Sequence, residues 1–520
     1  MPLRAPILIP LLALLGAAPL AAQRTRAPSA AAVRRAVETI TEAEIRGRVA
    51  IMSDDSMRGR ATPSPELDET AEYLASEFRR LGLRPGGDSG SYIQRYAIQR
   101  SQADSGSFVV MMGRGATARW VVGRDASVGG LLPESEGVIT APAVLVVGTP
   151  PDTARPFGSV SVRGAVVLQA LPVVPRFRGG GVPRLVAQGA EAGALGWVFL
   201  VNAPEAQFGA MARSALRPQS TVVGPQDASR GRISVLVVRD SSADEVLRAA
   251  GEELAALRDT ATPGVRALSG VTVTIGARRR VTAELTAPNV VGILEGGDPE
   301  LRGEAVVFSA HMDHSGVGQP VNGDSIYNGA DDDASGTAGV VELAEAFASL
   351  QPRPRRSLVF LAVSGEERGL WGSSFYAEHP AVPLGQTVAD LNMDMIGRNW
   401  RDTISVIGKE HSTLGATANR VSREHPELNM RLVDDLWPDQ DFYNRSDHIH
   451  FARRGVPILF FFNGTHPDYH RPTDSVEKID AEKAARIVRM VFYVGLEVAN
   501  AAQRPQWDPE SRRRVVQAGN

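Results

Sequence analysis

Apolar positions along this chain change their period twice. Ile45, Val49, Ile51 and Met52 fall at helical spacing, and Leu67–Leu81 repeats it with Leu74, Phe78 and Leu81 on one face. Gly82 and Pro85 then suit a helix end. Between 120 and 278 the texture becomes β-rich: short runs at Ala143–Gly148, Ala165–Leu171, Trp197–Val201 and Ile233–Val238 sit among Gly/Pro-rich turns. Two helical stretches, Pro183–Ala192 and Ser242–Leu257, lie among them. From Ala283 onward, apolar runs at Ala305–Ala310, Ser357–Ala362 and Pro457–Phe462 read as buried strands. They alternate with helices at Ser335–Leu350 and Ala481–Ala501.

This pattern predicts an α/β fold, a three-layer sandwich whose central mixed, mostly parallel sheet is flanked by helices. Residues 35–119 and 283–502 form the two parts of that domain, and 120–278 is a β-rich insert between them. Residues 503–520 are polar and expected to fray.

Composition narrows the possible roles. The 520 residues carry a formal net charge of -3, which offers no electrostatic footprint for nucleic acid. Arg4, the apolar run Ile7–Leu15 and small residues at Gly16, Ala17, Ala18, Ala21 and Ala22 have the layout of a signal peptide over residues 1–22. Export to the periplasm or the extracellular space is expected, with no stable membrane insertion once that segment is removed. Cysteine is absent, so thiolate metal sites and cysteine nucleophiles are excluded.

The chemistry must then use oxygen and imidazole, and all nine histidines lie between His311 and His470. The strand Ala305–Ala310 runs out into His311-Met-Asp313-His314. Strand period places His311 and Asp313 on one side, at the end of a strand where open α/β sheets bind ligands. A nearby carboxylate such as Asp313 holds the far nitrogen of an imidazole ligand. Alone, the pair describes a surface loop equally well.

Asp331, Asp332 and Asp333 precede a helix, and capping accounts for one or two acids but not three. Glu366 and Glu367 follow strand Ser357–Ala362 and could divide the work of metal ligand and proton acceptor. Asp394 stands in an apolar run, where a carboxylate is costly without a partner. His470 lies in the loop Pro467–Asp474 after the last strand. Two histidines, three carboxylates and a spare glutamate suit two borderline metals ~3.5–4 Å apart, sharing one aspartate. The absence of a His-Glu-x-x-His helix excludes the usual single-zinc protease motif.

Assembled in this order, the motifs resemble the di-zinc peptidase family of bacterial leucyl-type aminopeptidases and glutamate carboxypeptidase-like enzymes. The likeness rests on His311-Met-Asp313, Gly329–Gly336, Ser364–Glu367, Asn392–Gly397, Ser446-Asp447-His448 and Tyr469–Asp474, with Leu67–Arg84 and Ser91–Gln94 resembling the start of that domain. Val162–Leu168 and Gly189–Val198 give the insert a looser similarity to a protease-associated domain.

The resemblance implies two Zn2+ ions, His311 and Asp394 holding one, Glu367 and His470 the other, and Asp332 bridging. It further implies Glu366 as general base, Asp313 as the carboxylate behind His311, and Tyr443 as an oxyanion donor. Peptides would be the substrates, most simply for an aminopeptidase. A carboxypeptidase, a single-zinc glutaminyl cyclase on the same scaffold and a binding protein with structural metals are the alternatives. For the substrate's charged end, Asp331, Asp333, Arg398, Arg445 and Arg453 are all available.

Overall fold

The structure is a computed structural model, and it describes residues 28–129, 137–148, 150, 155–173, 181–223, 233–258 and 263–516. The expected signal segment, 1–22, lies outside them. Two large sheets organise the chain. The first runs Arg431–Val433, Thr403–Ile407, Ile458–Phe462, Thr387–Asp394, Ala305–His311, Ser357–Val363, Arg279–Leu294, Ile93–Ala103 and Gln219–Val222.

Its centre is parallel: Thr387–Asp394, Ala305–His311, Ser357–Val363 and Ile458–Phe462 all point the same way. Arg279–Leu294, Ile93–Ala103 and Gln219–Val222 join antiparallel on one side, and Thr403–Ile407 does so on the other. The sheet is mixed, as expected, but the expectation that it is mostly parallel is corrected: half of the pairings in this order are antiparallel, and the parallel ones gather mainly at its centre. The long antiparallel pair Ile93–Ala103 with Arg279–Leu294 leads into and out of the second sheet and widens the first.

The central strands are continuous apolar runs because both their faces are covered. Val306, Phe308 and Ala310 face helices Glu42–Met52, Pro65–Arg80, Gly336–Ser349 and Ala481–Asn500, while Val307, Val359 and Leu361 face Trp371–Glu378 and His448–Arg453. Phe308 stacks on Phe360 at 5.5 Å, and Phe347 on Phe492 at 4.3 Å. Each such fully buried ring contributes about 1.5–3 kcal/mol. The predicted helix Leu67–Leu81 is Pro65–Arg80, started by the Ser64 side chain accepting the Leu67 N–H. Ile51, placed on the apolar face by its spacing, is exposed instead.

The second sheet holds Thr117–Val121, Phe108–Met112, Gly264–Gly276, Val138–Val147, Val166–Leu171, Gly196–Val201, Ser234–Arg239 and Ala126–Val128. It opens at Phe108, so the change of texture read at 120 falls within its first hairpin. Residues 219–222 leave it to pair with the first sheet. The helical stretch Ser242–Leu257 is divided into Asp244–Ala249 and Leu254–Arg258, with Gly251 at φ 88° between them.

The tail also differs from expectation. Residues 509–515 form a helix, the Trp507 indole N–H donates to the Gly455 carbonyl (2.8 Å), and Ser511 Oγ meets His411 Nδ1 at 3.1 Å. The apolar body of Trp507 and these buried polar contacts dock a segment that its composition marks as polar. Among the described residues, no helix is long and apolar enough to cross a membrane.

Candidate metal centre

Parallel strands deliver their carboxyl ends to one edge of the sheet, and the chemistry collects there. His311 ends Ala305–His311, Glu366 and Glu367 follow Ser357–Val363, and Asp394 ends Thr387–Asp394. Asp332 comes from the loop before Gly336–Ser349, and His470 from the loop after Ile458–Phe462, with φ 54°.

The structure brings all five expected ligands together. His311 Nε2 lies 3.2 Å from Asp332 Oδ1 and 3.7 Å from Asp394 Oδ1. His470 Nε2 lies 3.2 Å from both Asp332 Oδ2 and Glu367 Oε2. Asp332 thus turns one oxygen to His311 and the other to His470, whereas Asp331 Oδ2 lies 3.3 Å from His466 and Asp333 faces the backbone.

Those two neighbours hold the backbone. Asp333 accepts the N–H groups of His311 (3.1 Å), Gly336 (2.9 Å) and Met395 (3.2 Å). Asp331 accepts from Gly397 N–H (2.6 Å) and Ser335 Oγ (3.1 Å). Asp474 accepts the N–H groups of Asp331 (3.0 Å) and Asp332 (3.2 Å), tying the His470 loop to the triplet. Three adjacent acids are needed because one faces the centre while its neighbours orient the chain around it.

Asp313 departs in detail from its expected role. His311 Nδ1 bonds the main-chain carbonyl of Asp313 at 3.1 Å, while the Asp313 carboxylate is 3.7 Å away. A carbonyl can only accept, so Nδ1 carries the proton and Nε2 is left free to bind a cation. The carboxylate instead accepts from Thr62 Oγ1 (2.7 Å) and the Glu366 N–H (3.3 Å), fixing the start of the glutamate turn.

Tyr443 does not reach the centre. Its ring packs edge-on against His411 at 4.6 Å and beside Gly408, and its hydroxyl is buried without a hydrogen-bond partner among the described residues. The short turn Phe442–Asn444 aims it towards the chain's last helix, where Glu410 and Arg514 are its charged neighbours. Tyr469 lines the cleft instead, next to His470, on whose ring it stacks at 3.9 Å. Of the residues available for a substrate's charged end, only Arg445 lines the cleft. Arg398 pairs with Asp468 at 2.8 Å, and Arg453 donates to Asn444 Oδ1 at 3.3 Å.

Three residues to which the sequence assigns no role also contribute. His314 is fully buried, with Nδ1 2.8 Å from Glu367 Oε1; its place one residue after His-x-Asp was the available signal. Ser446 Oγ donates to Asp394 Oδ2 (3.0 Å) and accepts from Asn392 Nδ2 (3.1 Å). Arg60 is a buried guanidinium donating to the carbonyls of Met312 (2.9 Å), Asn328 (2.6 Å), Gly329 (3.0 Å) and Met52. Nothing in its local sequence separates it from a surface arginine.

Electrostatics at this point favour a cation. Burial alone would raise the Glu367 carboxyl and lower the imidazoles. Opposite charges win: Glu367 is held down at about 2, and His470 is pushed up to about 10 by Asp332 and Glu367. Glu366, half-buried on the cleft wall, moves well above the usual carboxylate range through burial, with Asp447 and Glu367 adding to it. Yet His311 Nε2, His314 Nδ1, Asp332 Oδ2 and Glu367 Oε1 are buried with no hydrogen-bond partner among the described residues. Orphaned donor atoms this close together are what metal ligands look like. His311, Asp332 and Asp394 form one group able to hold an ion, and His314, Asp332 and Glu367 another. Imidazole and carboxylate without thiolate fit zinc.

Comparison with known proteins follows the same residues. Residues 289–495 match the family model described as Peptidase family M28. A probable zinc metalloprotease of Pyricularia oryzae is 30% identical over 269 residues, covering 44% of this chain and 52% of that protein. Aminopeptidase YwaD of Bacillus subtilis is 28% identical over 186 residues, covering 34% of this chain and 39% of that protein. The chain spans about half the length of the first of these curated relatives and less of the second. A solved aminopeptidase from Aneurinibacillus sp. strain AM-1 superposes with a TM-score of 0.51 at 18% identity, covering 89% of this chain and 95% of that one. At that identity the match speaks for the fold.

Proposed function

We propose, residues 289–495 belonging to Peptidase family M28, that this chain is a zinc-dependent exopeptidase acting on the amino-terminal end of peptides. The observation that carries this reading is the meeting of His311, Asp332, Glu367 and Asp394, largely buried, with the exposed His470 at one place beside Glu366. Two zinc ions are the complement that fits: His311 and Asp394 would hold one, Glu367 and His470 the other, and Asp332 offers an oxygen to each. When bound, such a pair acts as a Lewis acid and lowers the pKa of bound water.

The remaining work falls to the chain itself. Glu366 lines the cleft with Asp332 and Asp394, and its burial makes the ionised carboxylate a stronger proton acceptor. A carboxylate so placed takes a proton from the attacking water and returns it to the leaving amine. The Tyr469 phenol, held protonated by burial among carboxylates, is placed to donate to a carbonyl oxygen as charge develops. Met395, Phe442, Phe460 and Phe462 make the other wall apolar, which suits an apolar terminal side chain.

Arg445 supports a second reading, since a guanidinium in the cleft also suits the free carboxylate of a carboxypeptidase substrate. Zinc-loaded protein assayed with aminoacyl p-nitroanilides and with N-blocked dipeptides separates the two. Hydrolysis of the anilides is expected, and hydrolysis of blocked dipeptides alone would favour the second reading. A single-zinc cyclase has less support, because the residues for both ions are present.

The second sheet, with its parallel centre and helices, we read as a protease-associated domain, and the first sheet with its helices as the three-layer sandwich. Export follows from the layout of residues 1–22. N-terminal sequencing of the protein recovered from outside the cytoplasm should begin close after Ala22.

A further inference from the structure

We infer that His314 is a fourth protein ligand of the ion held by His470 and Glu367, so that the two metal positions are unequal. His314 is fully buried, and neither of its ring nitrogens has a hydrogen-bond partner among the described residues. Its backbone is fixed by the N–H donating to the Arg60 carbonyl (3.3 Å). Its ring lies where only a glycine can pass: a Cβ on Gly329 would come within 2.4 Å of His314 Cγ.

The decisive contact is with Glu367. His314 Nδ1 is 2.8 Å from Glu367 Oε1, yet both atoms lack the alignment a hydrogen bond requires. A charged histidine paired with a carboxylate would point its N–H at the oxygen. Two lone pairs converging on a shared ion leave their atoms close and misaligned. His314 Nδ1 is also 3.8 Å from Asp332 Oδ2, and His470 Nε2 stands 3.2 Å from oxygens of both carboxylates. Neighbouring ligands of a tetrahedral zinc lie about 3.3 Å apart for bonds of about 2.0–2.1 Å, and these separations bracket that edge.

Four protein ligands would close the position of His314, Asp332, Glu367 and His470. His311, Asp332 and Asp394 supply only three to the other, leaving room for water or substrate. The chain thus separates a retained ion from an exchangeable one that meets the substrate.

This inference rests on the two-zinc reading, and one experiment distinguishes their failures. Zinc content per chain is measured together with the number of imidazoles around zinc by X-ray absorption, in the wild-type protein and in His314→Gln. The expected result is two zincs sharing three imidazoles, falling to two imidazoles in the variant, whose slower-released zinc passes to a chelator at least about tenfold faster. Two zincs sharing only two imidazoles in the wild type would overturn the role of His314 and leave the two-zinc reading standing. Fewer than two zincs in the wild type would overturn both.

Discussion

His311 Nε2 stands 3.2 Å from Asp332 Oδ1 and still lacks a hydrogen-bond partner. The ring cannot turn to seek one, because Nδ1 is engaged by the Asp313 carbonyl. Asp332 Oδ2 is likewise unpaired, 3.2 Å from His470 Nε2. One carboxylate between two imidazoles from distant parts of the chain is the geometric core of the site. Asp332→Asn keeps the shape and removes the charge. Zinc content is expected to fall from two per chain to one or none, measured by elemental analysis after gel filtration.

Asp333 supports that core without touching it. Its three N–H partners lie in three different segments. Asn in its place points an amide donor at groups that need an acceptor, and each group left unpaired costs about 1–3 kcal/mol. Asp333→Asn should lower the urea midpoint with an unchanged slope. Unaltered stability would remove the anchoring role.

Arg60 makes a similar case from the N-terminal part of the chain. Its guanidinium stays charged although burial brings it down to about 10, and it serves carbonyls of four residues. Lysine keeps the charge but lacks the planar fork. Arg60→Lys should therefore destabilise by about 1–3 kcal/mol for each carbonyl left unmet, read by thermal or urea unfolding.

Asp390 predicts how stability responds to pH. Burial raises its carboxyl to about 8 from an ordinary value of 3.8, and one oxygen has no partner. The folded state then binds more protons than the unfolded state between these values. By linkage, this group's contribution is fully present below its unfolded pKa and is lost as pH rises through about 8. Asp390→Asn keeps a hydrogen-bonding side chain beside Ser309 and cannot ionise. Its stability relative to wild type should rise from pH 5 to pH 8; a constant difference would contradict this.

Tyr469 and Tyr443 offer a paired comparison. Phenylalanine at Tyr469 should lower kcat by roughly 10²–10³-fold, the range for losing one oxyanion donor. Phenylalanine at Tyr443 should leave kcat within about twofold, since its hydroxyl has no partner and faces the last helix. The contrast is read from initial rates on one anilide substrate.

Much of this was legible in the sequence because strand ends and chemistry coincide. Continuous apolar runs located three of the four parallel central strands, and His311, Glu366 and Glu367 just beyond two of them meet Asp394, which ends the fourth, Thr387–Asp394. What stayed hidden depended on long-range geometry. His314 looked like part of a loop until the Glu367 turn arrived beside it, and Arg60 acts on carbonyls from three segments of the chain. Tyr443 followed from likeness of position, while the short turn that carries it points the other way. The tail read as frayed because a few docking contacts, such as Trp507 with Gly455, leave little mark on composition.

The central proposal is a hydrolytic centre with Glu366 as its proton carrier and two zinc ions as its Lewis acids. It is tested most directly by kcat and zinc content measured together in wild-type protein and Glu366→Gln. The account predicts two zincs in both proteins and a loss of kcat in the variant of about 10²–10⁴-fold. A Glu366→Gln protein that keeps two zincs and full peptidase activity would contradict it.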